Sequence, residues 1–106
     1  MFSIDQIRDA LTDLPLEQVL LFGSHATGSA NEESDLDLIV VVPEDQEGLN
    51  FSSRIDWMQR VRHALDAAGI RTAKDILVYS PSQWKAFQSA DSSFAREIRE
   101  SAQPIA

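Results

Sequence analysis

The stretch Gln18-Val-Leu-Leu-Phe-Gly-Ser-His-Ala-Thr-Gly28, followed by Ser34-Asp-Leu-Asp-Leu-Ile-Val-Val-Val42, decides the fold. Gln18–Phe22 is a short apolar run ending in Gly23, the pattern of a buried strand. Asp35–Val42 is a second, stronger strand. Its Leu-Ile-Val-Val-Val run after Asp37 implies a central strand covered on both faces. Residues 23–33 between them are rich in Gly, Ser, Asn and Ala and read as a loop, with a helical turn after Ser24.

Upstream, Ser3-Ile-Asp-Gln6 is a capping-box pattern, and Ile4, Ile7, Ala10, Leu11 and Leu14 follow at helical spacing until Pro15. Downstream, an acidic connection over Pro43–Asn50 leads into a helix over residues 51–68. Ile55, Met58, Val61 and Leu65 form its apolar face, and Gly69 closes it. Thr72–Tyr79 is a third strand. Ser80-Pro-Ser-Gln83 is a second capping box, opening a helix that carries Trp84 and Phe87. A last helix from Ser92 buries Phe94, Ala95 and Ile98 and stops before Pro104. The order α-β-loop-β-α-β-α-α predicts an α/β (α+β) fold, a small sheet backed by helices, with residues 1–106 as one domain.

Composition narrows the function classes. A chain of 106 residues with 43% hydrophobic content supports one core. The absence of cysteine excludes disulfides, thiolate metal sites and a cysteine nucleophile. The first residues are amphipathic rather than signal-like, and no apolar run approaches the roughly 20 residues that span a bilayer. A cytoplasmic protein without membrane contact is expected. The net charge of −8 is uneven: residues 1–50 hold eleven acids and one base, Arg8, whereas residues 51–106 hold eight bases and six acids. Such a balance is unsuited to non-specific nucleic-acid binding, which depends on neutralising phosphates, and suits a cation or a basic protein partner.

Three features carry chemistry. The first is Gly23-Ser24 directly after a strand, where glycine lets backbone N–H groups approach a phosphate and the Ser24 hydroxyl adds a donor. By itself such a glycine is usually a turn. The GxxxxG spacing of Gly23 and Gly28 is not a Walker loop, because Ser29-Ala30 stands where Lys-Ser/Thr is required. The second is Asp35-Leu-Asp37. On a strand, residues i and i+2 project from one face, so both carboxylates can reach one cation while Leu36 and Leu38 face the opposite layer. Burying unpaired charge is costly, and a counter-cation is the natural remedy. The competing reading is a solvated strand start. The third is Asp75 in Thr72-Ala-Lys-Asp-Ile-Leu-Val-Tyr79, which is either a further metal ligand or a strand-entry carboxylate paired with Lys74 or Arg71.

Gly23-Ser24, ten intervening residues, then Asp35-x-Asp37 resembles the signature of the DNA polymerase β-like nucleotidyltransferases, and the small size resembles their minimal nucleotidyltransferase (MNT) group. The likeness covers roughly residues 17–79 and implies a polymerase β-like core with a mixed sheet. It implies that Asp35, Asp37 and Asp75 are catalytic residues and hold two Mg²⁺ ions. Asp75 would ligate the second ion and help deprotonate the attacking hydroxyl, and Gly23 and Ser24 would bind the β/γ-phosphates of ATP. The likeness further implies an antitoxin that transfers AMP to a HEPN-type RNase toxin, and hence a hetero-oligomer. Family loops often carry arginine where this chain has His25 and Thr27. Neither supplies a fixed cationic fork, so basic residues of the second half (Arg54, Arg60, Arg71, Lys74) are the candidates to replace it. The alternative is a non-catalytic module that neutralises its partner by contact.

Overall fold

The computed structural model describes residues 2–28, 30, 34–43 and 50–106. Among these the chain runs α1 (Ile4–Leu11), β1 (Gln18–Phe22), α2 (Ser24–Thr27), β2 (Leu36–Val41), α3 (Phe51–Ala67), β3 (Lys74–Tyr79), α4 (Pro81–Ser89), α5 (Ser93–Ser101) and β4 (Gln103–Pro104). The expected acidic connection at 44–49 and parts of the loop at 29 and 31–33 lie outside the described residues.

The sheet order is β3-β2-β1-β4. β1 pairs antiparallel with both β2 and β4, whereas β2 and β3 are parallel and joined through α3, so the sheet is mixed. Its two faces are covered by different helices. Ile7 and Leu11 of α1 and Trp57, Val61 and Leu65 of α3 pack with Val19, Leu21, Leu36, Leu38, Val40 and Val78 on one face. Trp84 of α4 and Ile98 of α5 pack with Leu20, Phe22, Ile39 and Val41 on the other. This is why β2 reads as continuously apolar after Asp37. Each fully buried aliphatic side chain contributes roughly 1.5–3 kcal/mol, enough together to hold a strand that also carries a charge.

Several details depart from the sequence reading. The buried face of α3 is led by Trp57, while Ile55 and Met58 are only half-buried. Phe94, expected in the core, is 38% exposed. The two-residue β4 has no periodicity to betray it and contains Pro104, tolerated because β4 is an edge strand. The opposite edge is guarded. The guanidinium of Arg54 donates to the Val78 carbonyl and, at 3.3 Å, to Gln83, and an edge so covered resists further strand pairing.

Both predicted capping boxes form. Ser3 accepts from the Gln6 amide and Ser80 from the Gln83 amide, with each glutamine returning the bond. Their environments differ, since Ser80 is fully buried and the Ser3 bonds are exposed. Losing an N-cap costs about 1 kcal/mol, and more where a buried donor is left unsatisfied. Ser80→Ala is therefore expected to lose about 2 kcal/mol and Ser3→Ala about half that or less. Urea denaturation of the two variants measures the difference, and equal losses would contradict it.

Candidate active site

The site lies at the end of the sheet where β1 finishes and β2 and β3 begin. Strand register puts Asp37 opposite Phe22 of β1 and beside Asp75 of β3. Cross-strand partners share a face, so Phe22, Asp37 and Asp75 form one row on the side covered by α4 and α5. Asp37 is half-buried, and Asp35 and Asp75 are exposed. Asp35 immediately precedes the strand rather than lying within it.

The electrostatics tie these acids together. Partial burial is the largest influence raising the Asp37 carboxyl above its ordinary range; the charges of Asp75 and Asp35 push the same way, and His25 opposes them. Like charges raise a pKa only at close quarters. Lys74, offered by the sequence as a partner for Asp75, is engaged elsewhere: its ammonium donates to Asp66 at 2.7 Å and to the Thr72 carbonyl at 2.9 Å. That bond holds the Asp66 carboxyl below its usual range, helped by Arg71 and Arg62.

Gly23 brings the other half of the site into contact with this row. It adopts φ 71° and ψ −153°, a region open almost only to glycine. A Cβ built there would lie 2.3 Å from the Asp37 carboxylate oxygen Oδ2 and 3.2 Å from its Cγ. The glycine is thus required twice, by its backbone and by the closeness of Asp37. The chain then winds into the single turn of α2, where the Ala26 and Thr27 amides bond the Gly23 carbonyl at 3.1 and 3.2 Å. Helix geometry leaves the Ser24 and His25 amides, first in the turn, without intrahelical acceptors. Gly28 ends the turn in the left-handed conformation.

Two contributors escaped the sequence reading. Gln103 of β4 donates to the Ala26 carbonyl at 2.9 Å and so braces the turn from the far end of the chain. Phe22, an ordinary strand residue by sequence, forms the apolar end of the acidic row. His25 turns away from a phosphate-clamping role: its ring packs on Phe2, with centroids 4.9 Å apart, and its Nε2 lies 3.4 Å from the Ser34 carbonyl. Of the basic residues named as replacements, Arg54 is held by Val78 and Gln83, Lys74 by Asp66, and Arg60 lies over the Trp57 ring at 4.8 Å.

Among the described residues no three acidic or imidazole side chains close tightly enough to enclose a metal ion on their own. The donor chemistry nevertheless suits Mg²⁺. That ion takes hard oxygen ligands, commonly one or two carboxylates completed by substrate phosphates and water, and a half-buried Asp37 facing two more acids is relieved by a cation.

Residues 4–103 match the sequence model of one family, described as a nucleotidyltransferase domain. No curated protein matches the chain significantly. Among solved structures, a toxin–antitoxin complex with AMP-PNP is similar at 20% identity and a TM-score of 0.61, covering 99% of this chain and 73% of that one. A mutant of the toxin–antitoxin MntA-HpeT is similar at 19% identity and a TM-score of 0.60, with the same coverages. A candidate nucleotidyltransferase from Sulfolobus solfataricus is similar at 26% identity and a TM-score of 0.52, covering 78% of this chain and 68% of that one. The first two likenesses establish a shared fold. No helix among the described residues is long and apolar enough to cross a membrane.

Proposed function

This chain belongs to the nucleotidyltransferase domain family, and we propose on that footing that it transfers a nucleoside monophosphate, AMP from ATP, to a hydroxyl on a protein partner. The observation that carries the reading is the contact between the two halves of the motif. The Gly23 backbone approaches the Asp37 carboxylate so closely that no side chain fits between them. The turn we read as phosphate-binding thus adjoins the carboxylates we read as cation-binding, the arrangement that transfer at an α-phosphorus requires.

In this reading Asp35 and Asp37 would hold two Mg²⁺ ions, with Asp75 a further ligand to the second. The metal supplies charge neutralisation at the triphosphate and at the attacking oxygen. The Ser24 hydroxyl and the first amides of α2 hold the β/γ-phosphates. Asp75, exposed and beside Asp37, receives the proton as the acceptor hydroxyl attacks the α-phosphorus. The bond to the β-phosphate oxygen breaks and pyrophosphate leaves. The partner is a toxin, of the HEPN RNase class by resemblance, and modification neutralises it. Support for a toxin partner comes from structural neighbours that are toxin–antitoxin complexes.

Incubation with Mg²⁺, the protein encoded beside it and ATP labelled at the α-phosphate is expected to label that protein, whereas γ-labelled ATP transfers nothing. The double change Asp35→Ala, Asp37→Ala is expected to abolish labelling, and label transfer that survives it would refute the mechanism. The engaged basic side chains and the His25 ring packed on Phe2 favour one second reading, neutralisation by contact alone. Toxin neutralisation that persists in the double variant would select it.

A further inference from the structure

The acidic row does not end in polar residues. Phe22 is the cross-strand partner of Asp37, and side chains so paired stand about 5 Å apart. Phe22 is buried, and Phe94, from the first turn of α5, closes over it edge to face with ring centroids 5.9 Å apart at 74°. Phe94 meets Phe87 in the same manner, at 5.5 Å and 64°. It is thus held from two sides, yet 38% of it is open to solvent, whereas Ala95 and Ile98 of the same helix are buried. Core packing accounts for Ala95 and Ile98. It does not account for a braced but open phenylalanine lying over Phe22, the cross-strand partner of Asp37.

We propose that Phe94, backed by Phe22, is the surface on which the nucleobase of the bound nucleoside triphosphate stacks. This rests on the reading given under Proposed function. A nucleotide is polar and anionic at one end and flat and apolar at the other. Phe22 and the Asp37 and Asp75 side chains share one face of the sheet, with Phe94 over Phe22, so an aromatic surface and the acids proposed to hold the cation stand side by side there. The T-shaped contacts brace the Phe94 ring before ligand arrives, so little rotamer freedom is lost on binding. Base stacking on a phenylalanine tolerates any base. Phe94 therefore strengthens nucleotide binding generally, favours the larger purines modestly, and leaves finer base choice to other groups.

The test compares ATP with inorganic tripolyphosphate, which has the phosphates and no base, both with Mg²⁺. Phe94→Ala is expected to raise the Kd and KM for ATP roughly tenfold, with kcat and tripolyphosphate affinity unchanged, and Phe94→Trp is expected to restore ATP binding. Phe94 is at the surface, so the variants should fold, and far-UV circular dichroism verifies it. An unchanged ATP affinity in Phe94→Ala, equal weakening of ATP and tripolyphosphate, or a loss confined to the protein acceptor would each overturn the inference alone. A parent protein that binds neither ATP nor tripolyphosphate would overturn the nucleotidyltransferase reading and this inference with it.

Discussion

Asp37→Asn is expected to reduce nucleotidyl transfer by about a thousandfold or more while leaving the domain folded and, at neutral pH, slightly more stable than the parent. The first effect follows from the Lewis-acid contribution of a bound metal, worth several kcal/mol of transition-state stabilisation, since an amide is a poor substitute for a carboxylate ligand. The second follows from the surroundings of Asp37. Its carboxyl titrates above the ordinary aspartate range, first because it is partly buried and then because Asp75 and Asp35 repel its charge. A folded-state pKa above the unfolded one means that the folded chain binds the proton more tightly. The destabilisation is absent below the unfolded value, grows as pH rises towards the folded value, and is complete above it. Asparagine removes this penalty. The stability difference between variant and parent should therefore be largest at pH 7 and vanish near about pH 3, where the carboxyl is protonated in either state. Urea denaturation at the two pH values measures it. Added Mg²⁺ is expected to stabilise the parent more than the variant, because the variant has lost one of the three proposed carboxylate ligands. A variant that keeps its transfer activity would remove Asp37 from the site.

Gly23→Ala carries the next largest effect, a loss of about 3 kcal/mol or more in stability together with activity, from about 1–3 kcal/mol each of backbone strain and overpacking. Glycine alone tolerates φ 71° with ψ −153° without strain, and the added methyl carbon would fall 2.3 Å from the Asp37 oxygen. Something must move. The neighbouring atoms are the half-buried carboxylate itself, so relief comes at the expense of the group that the site needs. Gly28→Ala is the control: Gly28 also has positive φ, 80°, but among the described residues a Cβ there meets nothing within 4 Å, so a left-handed penalty of about 1 kcal/mol is expected. The steric part can be isolated by a double-mutant cycle. In an Asp37→Ala background the atoms nearest the new methyl are gone, and Gly23→Ala should cost about 1–2 kcal/mol less than in the parent. Additive losses would show that the contact contributes nothing.

The sequence carried the elements well where local signals agree. The capping boxes at Ser3 and Ser80 and the apolar run of β2 depend on neighbours a few residues apart. The helical turn after Ser24 was legible for the same reason. The errors fall where the deciding partner is remote. Trp57, not Ile55, leads the buried face of α3, because which helical face is covered depends on how α3 lies across the sheet. β4 exists because β1 has a free edge that Gln103 and Pro104 can reach. Phe94 stays open because α5 turns Ala95 and Ile98 to the core instead.

The candidate site divides in the same way. The one-dimensional pattern determined that Asp35, Asp37 and a glycine-serine turn occur at a spacing resembling that of nucleotidyltransferases, because side-chain alternation on a strand and glycine's backbone freedom are local properties. Only the tertiary structure decided that Gly23 abuts Asp37, that Asp75 enters the same row from a parallel neighbour, and that Lys74 goes to Asp66 and leaves Asp75 to the row. Strand register fixes those relations. Register is set by the packing of both faces against helices from distant parts of the chain, information that no window of sequence contains.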